Sequence, residues 1–182
     1  MSYRNWVFIA IALFGIGMVL GLAVPANIAD LLAGDLAALE ELGAILGPFK
    51  VTTAVFIFLK NVVALLLSFI FSPLLCLVPI LALTVNGWLL SFVSAVVVQE
   101  ESIWFLLAGL LPHGIFELPA LIIGEAAAIS FGAMTIVALV SKKKRHLLLP
   151  NLKQNVRYLV LAAVMLLPAA IIETYITPLL LT

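Results

Sequence analysis

The sequence has few charged residues and a single cysteine. Of its 182 residues, 10% are charged and 65% are apolar, whereas a soluble domain is about half apolar and about a quarter charged. The one cysteine, Cys76, excludes an intrachain disulfide, and its apolar neighbours favour the ordinary role of a small buried hydrophobe. The composition therefore excludes a typical soluble domain and predicts an integral membrane protein.

Long apolar runs occupy most of the chain. A transmembrane helix needs about 20 apolar residues, and the predicted spans are 6–24, 50–71, 74–98, 119–140 and 155–176. The first run exceeds the apolar region of a signal peptide, which has about 7–15 residues, so we expect a retained span. The predicted fold is all-α, a polytopic transmembrane helix bundle forming a single integral membrane domain over 1–182.

The segment 28–47 differs from these runs because it carries four acidic residues. Its apolar residues fall near one helical face, and the acids keep the other side polar: Asp30, Asp35, Glu40 and Glu41. This pattern is typical of an amphipathic helix that lies in the membrane interface. The alternative is an ordinary connector packed on the bundle.

The block 102–140 has 39 residues without a Lys or Arg, which is too long for one ordinary crossing. Six of the nine basic residues lie in segment 142–157: Lys142, Lys143, Lys144, Arg145, Lys153 and Arg157. Basic residues that flank spans stay on the cytoplasmic side, which requires the block to cross once. We therefore predict five crossings plus a re-entrant helical hairpin near 102–119, with its turn at 112–114.

The same rule orients the chain in the cell membrane as a multi-pass protein. The N-terminus and segment 142–157 are predicted to be cytoplasmic, and the C-terminus is predicted to lie outside. The basic cluster also attracts anionic lipid headgroups. Nucleic acid is not indicated, because this cluster is small and flanked by spans.

Polar residues inside the predicted spans are the candidate functional residues. His113 and Glu117 stand out, because they lie four residues apart between Pro112 and Pro119. Ionisable groups at membrane depth are rare, usually face the bundle interior and mark functional sites. The predicted polar cluster has seven members: Lys60, Asn61, Asn86, His113, Glu117, Glu125 and Glu173.

The charges of these residues show that the cluster needs a source of positive charge or of protons. Lys60 opposes three carboxyl groups, so a fully charged set carries two negative charges in a low dielectric. Protonated glutamates, a protonated His113 or a bound metal ion would each neutralise it. The candidate metal ligands are His113, Glu117 and Glu173, because a His and a Glu at i and i+4 can share an ion. A structural hydrogen-bonded pair is the favoured interpretation, and no cofactor is expected.

Catalytic patterns are weak. The second histidine, His146, lies in the basic segment, so no His-Glu-x-x-His pair exists, and no catalytic residue is predicted. The serines of the apolar runs have no flanking motif and suit helix packing. These features favour a protein that is not an enzyme, with an intramembrane metalloenzyme as the least favoured alternative.

The run His113-Gly114-Ile115-Phe116-Glu117-Leu118-Pro119-Ala120 resembles the SpoIIM family, named for stage II sporulation protein M. Weaker similarities are Lys60-Asn61, Asn86-Gly87 and Ile172-Glu173-Thr174-Tyr175-Ile176-Thr177-Pro178. Together they cover most of the chain from about residue 59. Glu125 departs from the resemblance, since a small neutral residue is expected there, which puts its place in a shared site in doubt.

The resemblance implies a small polytopic membrane protein. In spore-forming bacteria, the family member is expected to work with two cell-wall-degrading partners as a membrane anchor or scaffold. The implied function is thus a non-enzymatic scaffold or assembly factor, with membrane or cell-envelope proteins, or a second copy of the chain, as candidate partners.

A transporter or channel-like protein for a proton, cation or small solute is the main alternative. It would use His113, Glu117 and Lys60 inside the membrane. A water-accessible cavity reaching Glu117 would favour transport, and a dry, fully paired cluster would favour the scaffold.

Overall fold

The computed structural model describes residues 2–23 and 47–181, which form an all-α helical bundle. The helices are α1 (Tyr3–Leu22), α2 (Val51–Phe71), α3 (Leu77–Glu100), α4 (Ile103–Val140), a 3-10 helix (Lys142–Leu147), α5 (Leu148–Tyr175) and the short α6 (Thr177–Leu180). Five helical segments of the described residues are long and apolar enough to cross a membrane. The all-α bundle prediction is confirmed. The predicted interfacial helix at 28–47 lies, except for residue 47, outside the described residues.

Helix α4 is continuous from Ile103 to Val140, with Pro112 and Pro119 inside it. The predicted re-entrant hairpin near 102–119, with a turn at 112–114, is therefore wrong. Proline removes one backbone donor and tends to kink a helix, but neighbouring helices make this tolerable in a membrane. The 38 residues extend for about 57 Å, so α4 must tilt strongly or project beyond a hydrocarbon layer of about 30 Å.

The middle of α4 is the centre of the bundle. Every residue from 124 to 130 is buried, although successive side chains point in different directions. Gly124 and Gly132 permit this close packing, because a Cβ at these positions would collide with Leu65 and with the backbone of Ser72. Helices α2, α3 and α5 all contact α4, so α4 positions residues on each of them.

Helices α1 and α3 run parallel and pack through small residues. Gly17 meets the backbone of Thr84, and Gly21 meets that of Trp88. Gly87 of α3 packs in return on the backbone of α1. Small residues let transmembrane helices approach closely, and dispersion then stabilises the pair.

Contacts near the helix ends show which segments share an end of the bundle. Trp6 near the start of α1 lines the same cavity as Lys144 and Asn151, so the N-terminal end of α1 and the basic segment share one end. At the opposite end, the Phe49 N–H donates to the carbonyl oxygen of Thr174 at 3.2 Å. The side of the membrane that each end faces stays a prediction from the basic residues.

Candidate functional site

An open cleft separates α2 from α3. Both helices pack on α4, but they make few contacts with each other. They are joined by the segment 72–76, which packs against Gly132 of α4. We define the α2–α3 cleft by Asn61, Ala64, Ala82, Asn86 and Glu117, all of which line a cavity of about 90 Å³.

Glu117 on α4 is the centre of the polar groups in this cleft. Asn61 Nδ2 donates to Glu117 Oε1 at 3.0 Å. His113 Nε2 lies 3.8 Å from Glu117 Oε2. The Glu117 side chain is nevertheless 31% exposed and that of His113 only 14% exposed, so the carboxylate is held from one side and open on the other.

Helix α5 contributes Glu173 to the same place. One ligand atom each from His113, Glu117 and Glu173 lies within 4.8 Å of the other two. Two ligand atoms on one zinc ion would lie within about 4.4 Å of each other, twice the usual metal–ligand distance of about 2.2 Å. Calcium, with distances of about 2.3–2.6 Å, allows a slightly wider set, and separations within 4.8 Å are compatible with a shared cation of either kind.

Lys60 and Asn86 lie at the edge of this arrangement. Lys60 is exposed on α2 and interacts electrostatically with Glu173. Asn86 is exposed on α3, and its Nδ2 donates to the carbonyl oxygen of Ala82 at 2.7 Å. Asn86 thus faces Glu117 across the cleft and satisfies its donor on its own helix.

Glu125 lies two turns from Glu117 and is 2% exposed. Ser68 Oγ of α2 donates to Glu125 Oε2 at 2.5 Å. Glu125 also lines the same cavity of about 90 Å³ as Glu117. Glu125 is therefore a neighbour of the cluster of His113, Glu117 and Glu173, which we call the Glu117 group, and it has its own partner in Ser68.

A larger cavity of about 270 Å³ reaches Glu117 from the side of α1 and α3. Its walls are mostly apolar, with Phe14, Leu90 and Leu110 among them. Asn86, Glu117 and Leu121 line both cavities. The carboxylate of Glu117 is consequently approached by open space on two sides.

Two site residues were not singled out from the sequence as cluster members. Ser68 is one of the serines in apolar runs for which the sequence predicts only helix packing. Thr177 is the second of these residues and follows Glu173 by four positions. Its Oγ1 lies 3.5 Å from His113 Nδ1. A hydroxyl in an apolar helix gives a weak sequence signal, because the same residue commonly serves packing alone.

Comparison with known proteins gives one family. The family model described as Stage II sporulation protein M matches residues 10–178. Two uncharacterized proteins of Methanocaldococcus jannaschii are similar: one is 29% identical over 86 residues, 47% of this chain and 48% of the relative. The other is 30% identical over 111 residues, 59% of this chain and 50% of the relative. The chain thus spans about half the length of these relatives. No solved structure matches it.

Proposed function

Because the chain belongs to the SpoIIM family, we propose that it is a non-enzymatic membrane scaffold that holds a partner protein by one of the partner's transmembrane helices. The α2–α3 cleft is the proposed binding site. The observation that carries this proposal is the opening of Glu117 toward this cleft, where α2 and α3 make few contacts with each other. The cell membrane is the proposed location, with the basic end of the bundle on the cytoplasmic side.

The energetics of the bilayer support an occupant for the cleft. Glu117 and Asn86 both present polar atoms to the open space between the helices. Polar groups that face hydrocarbon without a partner cost several kilocalories per mole. A partner helix with an amide or hydroxyl donor near its midpoint would satisfy them, and such hydrogen bonds contribute about 0.6 kcal/mol each on average.

The shape of the cleft supports a helix in particular. Ala64 and Ala82 line it, so backbones can approach closely there. Lys60, exposed at the midpoint of α2, offers an additional positive charge beside the opening. The predicted partner therefore has a small-residue face and an amide or hydroxyl donor at mid-span.

Site-specific photocrosslinking in native membranes tests the scaffold. A photoreactive residue at Ala82 should give one discrete adduct with a second membrane protein. The same residue at Val164, which is 61% exposed on α5, is the matched control and should give none. Glu117→Leu combined with Asn86→Leu should abolish the Ala82 adduct. Equal adducts from both positions, or adducts that survive the double substitution, would contradict the proposal.

Cation binding or transport is the second candidate function. It is favoured by the convergence of His113, Glu117 and Glu173 and by the two cavities that reach Glu117. Calcium and proton flux into vesicles containing the purified protein would test it. A flux lost on Glu117→Gln but retained in Lys143→Gln would support transport, and no flux above empty vesicles would remove it.

A further inference from the structure

A cavity of about 380 Å³ lies at the basic end of the bundle, far from the Glu117 group along α4. It lies between α1, α4, the 3-10 helix and α5. Residues that line it include Trp6, Ser130, Met134, Val137, Lys144 and Asn151. We propose that this cavity binds the phosphate headgroup of an anionic phospholipid.

The polar wall of the cavity is built from hydrogen-bond donors. Ser130 Oγ accepts N–H groups from Asn155 at 3.2 Å and from Asn151 at 3.4 Å. Both amides approach this hydroxyl as donors, so a ligand in the cavity would meet it as a hydrogen-bond donor. Asn155 is 1% exposed and anchors this network on α5. A hydroxyl that lines the same cavity as a lysine suits a phosphate group, because charge-assisted hydrogen bonds are the strong ones.

Lys144 is placed at this wall by the fold of the 3-10 helix. Its backbone N–H donates to the carbonyl oxygen of Ser141 at 3.0 Å. Arg145 Nε donates to the carbonyl oxygen of Ala138 at 3.2 Å, which ties the same turn to the end of α4. Lys142, Lys143 and Lys144 are all exposed, but of these three only Lys144 lines the cavity.

The described segments that form the cavity carry charge of one sign. Residues 2–23 and 126–172 contain no Asp or Glu but include seven Lys or Arg. Each basic residue near an anionic membrane surface strengthens binding by about fivefold. Lys144 therefore has no carboxylate competing for it within these segments, and an anion is the complementary ligand.

The other wall is apolar, which favours a lipid over a free phosphate ion. Met134, Val137 and Leu147 line it, and Val137 and Leu147 are partly exposed beside the basic end. An acyl chain can lie along these side chains while the headgroup meets Lys144. Trp6 lies at this level as well, where indole rings are enriched at the membrane–water interface.

Binding of phosphatidylglycerol to the purified full-length chain in neutral detergent tests this proposal, with phosphatidylcholine as the reference lipid. Measurements at 0.5 M salt suppress the general attraction of the basic surface, because the screening length is then only a few ångströms. We expect Lys144→Ala to weaken phosphatidylglycerol binding at least tenfold and Lys143→Ala, the matched control, to change it less than twofold. Equal losses in the two variants would overturn the site.

The substitution Ala133→Phe provides a second test of the lipid site that does not change the charge of the protein. Ala133 lines the cavity, so a phenyl ring there should exclude the lipid and also reduce binding at least tenfold. Helix content and melting in detergent confirm that each variant is folded, and Lys144→Gln replaces Lys144→Ala if the latter is not. Unchanged binding in Ala133→Phe, or displacement of the lipid by millimolar inorganic phosphate, would overturn the assignment to a lipid headgroup.

Discussion

Asn61 on α2 donates a hydrogen bond to Glu117 on α4, with 3.0 Å between Nδ2 and Oε1. The two residues are 56 positions apart, and this bond ties α2 to the central helix beside the open cleft. It fixes one carboxylate oxygen and leaves the other toward His113. The bond therefore decides how Glu117 is presented to whatever enters the cleft.

Substituting only one partner of this hydrogen bond should lower the free energy of unfolding more than substituting both partners. Asn61→Leu leaves Glu117 without its amide donor, and we expect a loss of about 1–3 kcal/mol in the free energy of unfolding. Asn61→Leu combined with Glu117→Leu should cost less than Asn61→Leu alone, because replacing both partners by apolar groups is nearly neutral. Unfolding in mixed detergent micelles measures both. Asn86→Leu is the control, since the Asn86 amide bonds only within α3. If Asn86→Leu lowered the free energy of unfolding as much as Asn61→Leu, this interpretation would be wrong.

Ser68→Ala should destabilise the protein through Glu125. Ser68 donates to the buried Glu125 from another helix, so its removal leaves a carboxyl group without this donor, at a cost of about 1–3 kcal/mol. Ser94→Ala is the matched control, because Ser94 Oγ bonds only to the Leu90 carbonyl of its own helix. The same unfolding measurement applies. Losses of similar size in both variants would contradict a specific role for the Ser68–Glu125 bond.

The contact between α1 and α3 should be sensitive to a single methyl group. Gly17→Ala places a Cβ against the Thr84 backbone, whereas a Cβ at Gly15 meets nothing within 4 Å. Overpacking typically costs about 1–3 kcal/mol, so Gly17→Ala should lower the free energy of unfolding by about this amount. Gly15→Ala should be neutral or stabilising, because alanine favours the helix by about 1 kcal/mol. A neutral Gly17→Ala would show that the two helices separate easily.

The continuity of α4 can be measured as a distance. Spin labels at Trp104→Cys and Leu139→Cys, in a Cys76→Ser background, occupy two exposed positions. A continuous helix places them about 52 Å apart along its axis, which pulsed electron spin resonance can resolve. A re-entrant hairpin followed by a span of about 22 residues would bring the labels within about 35 Å. A measured distance within about 35 Å would contradict the continuous helix and support the re-entrant hairpin.

The sequence by itself determined that the protein is an all-α membrane bundle, and it predicted five spans, the number of long apolar helices found among the described residues. Run length and the scarcity of charge suffice for this, because a bilayer admits few alternatives to the helix. The sequence also drew attention to His113, Glu117 and Glu173, since an ionisable group in an apolar run is conspicuous without any knowledge of its neighbours.

Only the tertiary structure decided how these groups are paired and where α4 is continuous. Pro112, Gly114 and Pro119 are local signals for a break, and in isolation they favour a turn; packing against surrounding helices overrides them. The pairs Asn61–Glu117 and Ser68–Glu125 join separate helices, and helical spacing cannot specify which faces of two helices will meet. The open cleft between α2 and α3 is likewise a property of packing, because it depends on the angles at which both helices pack against α4.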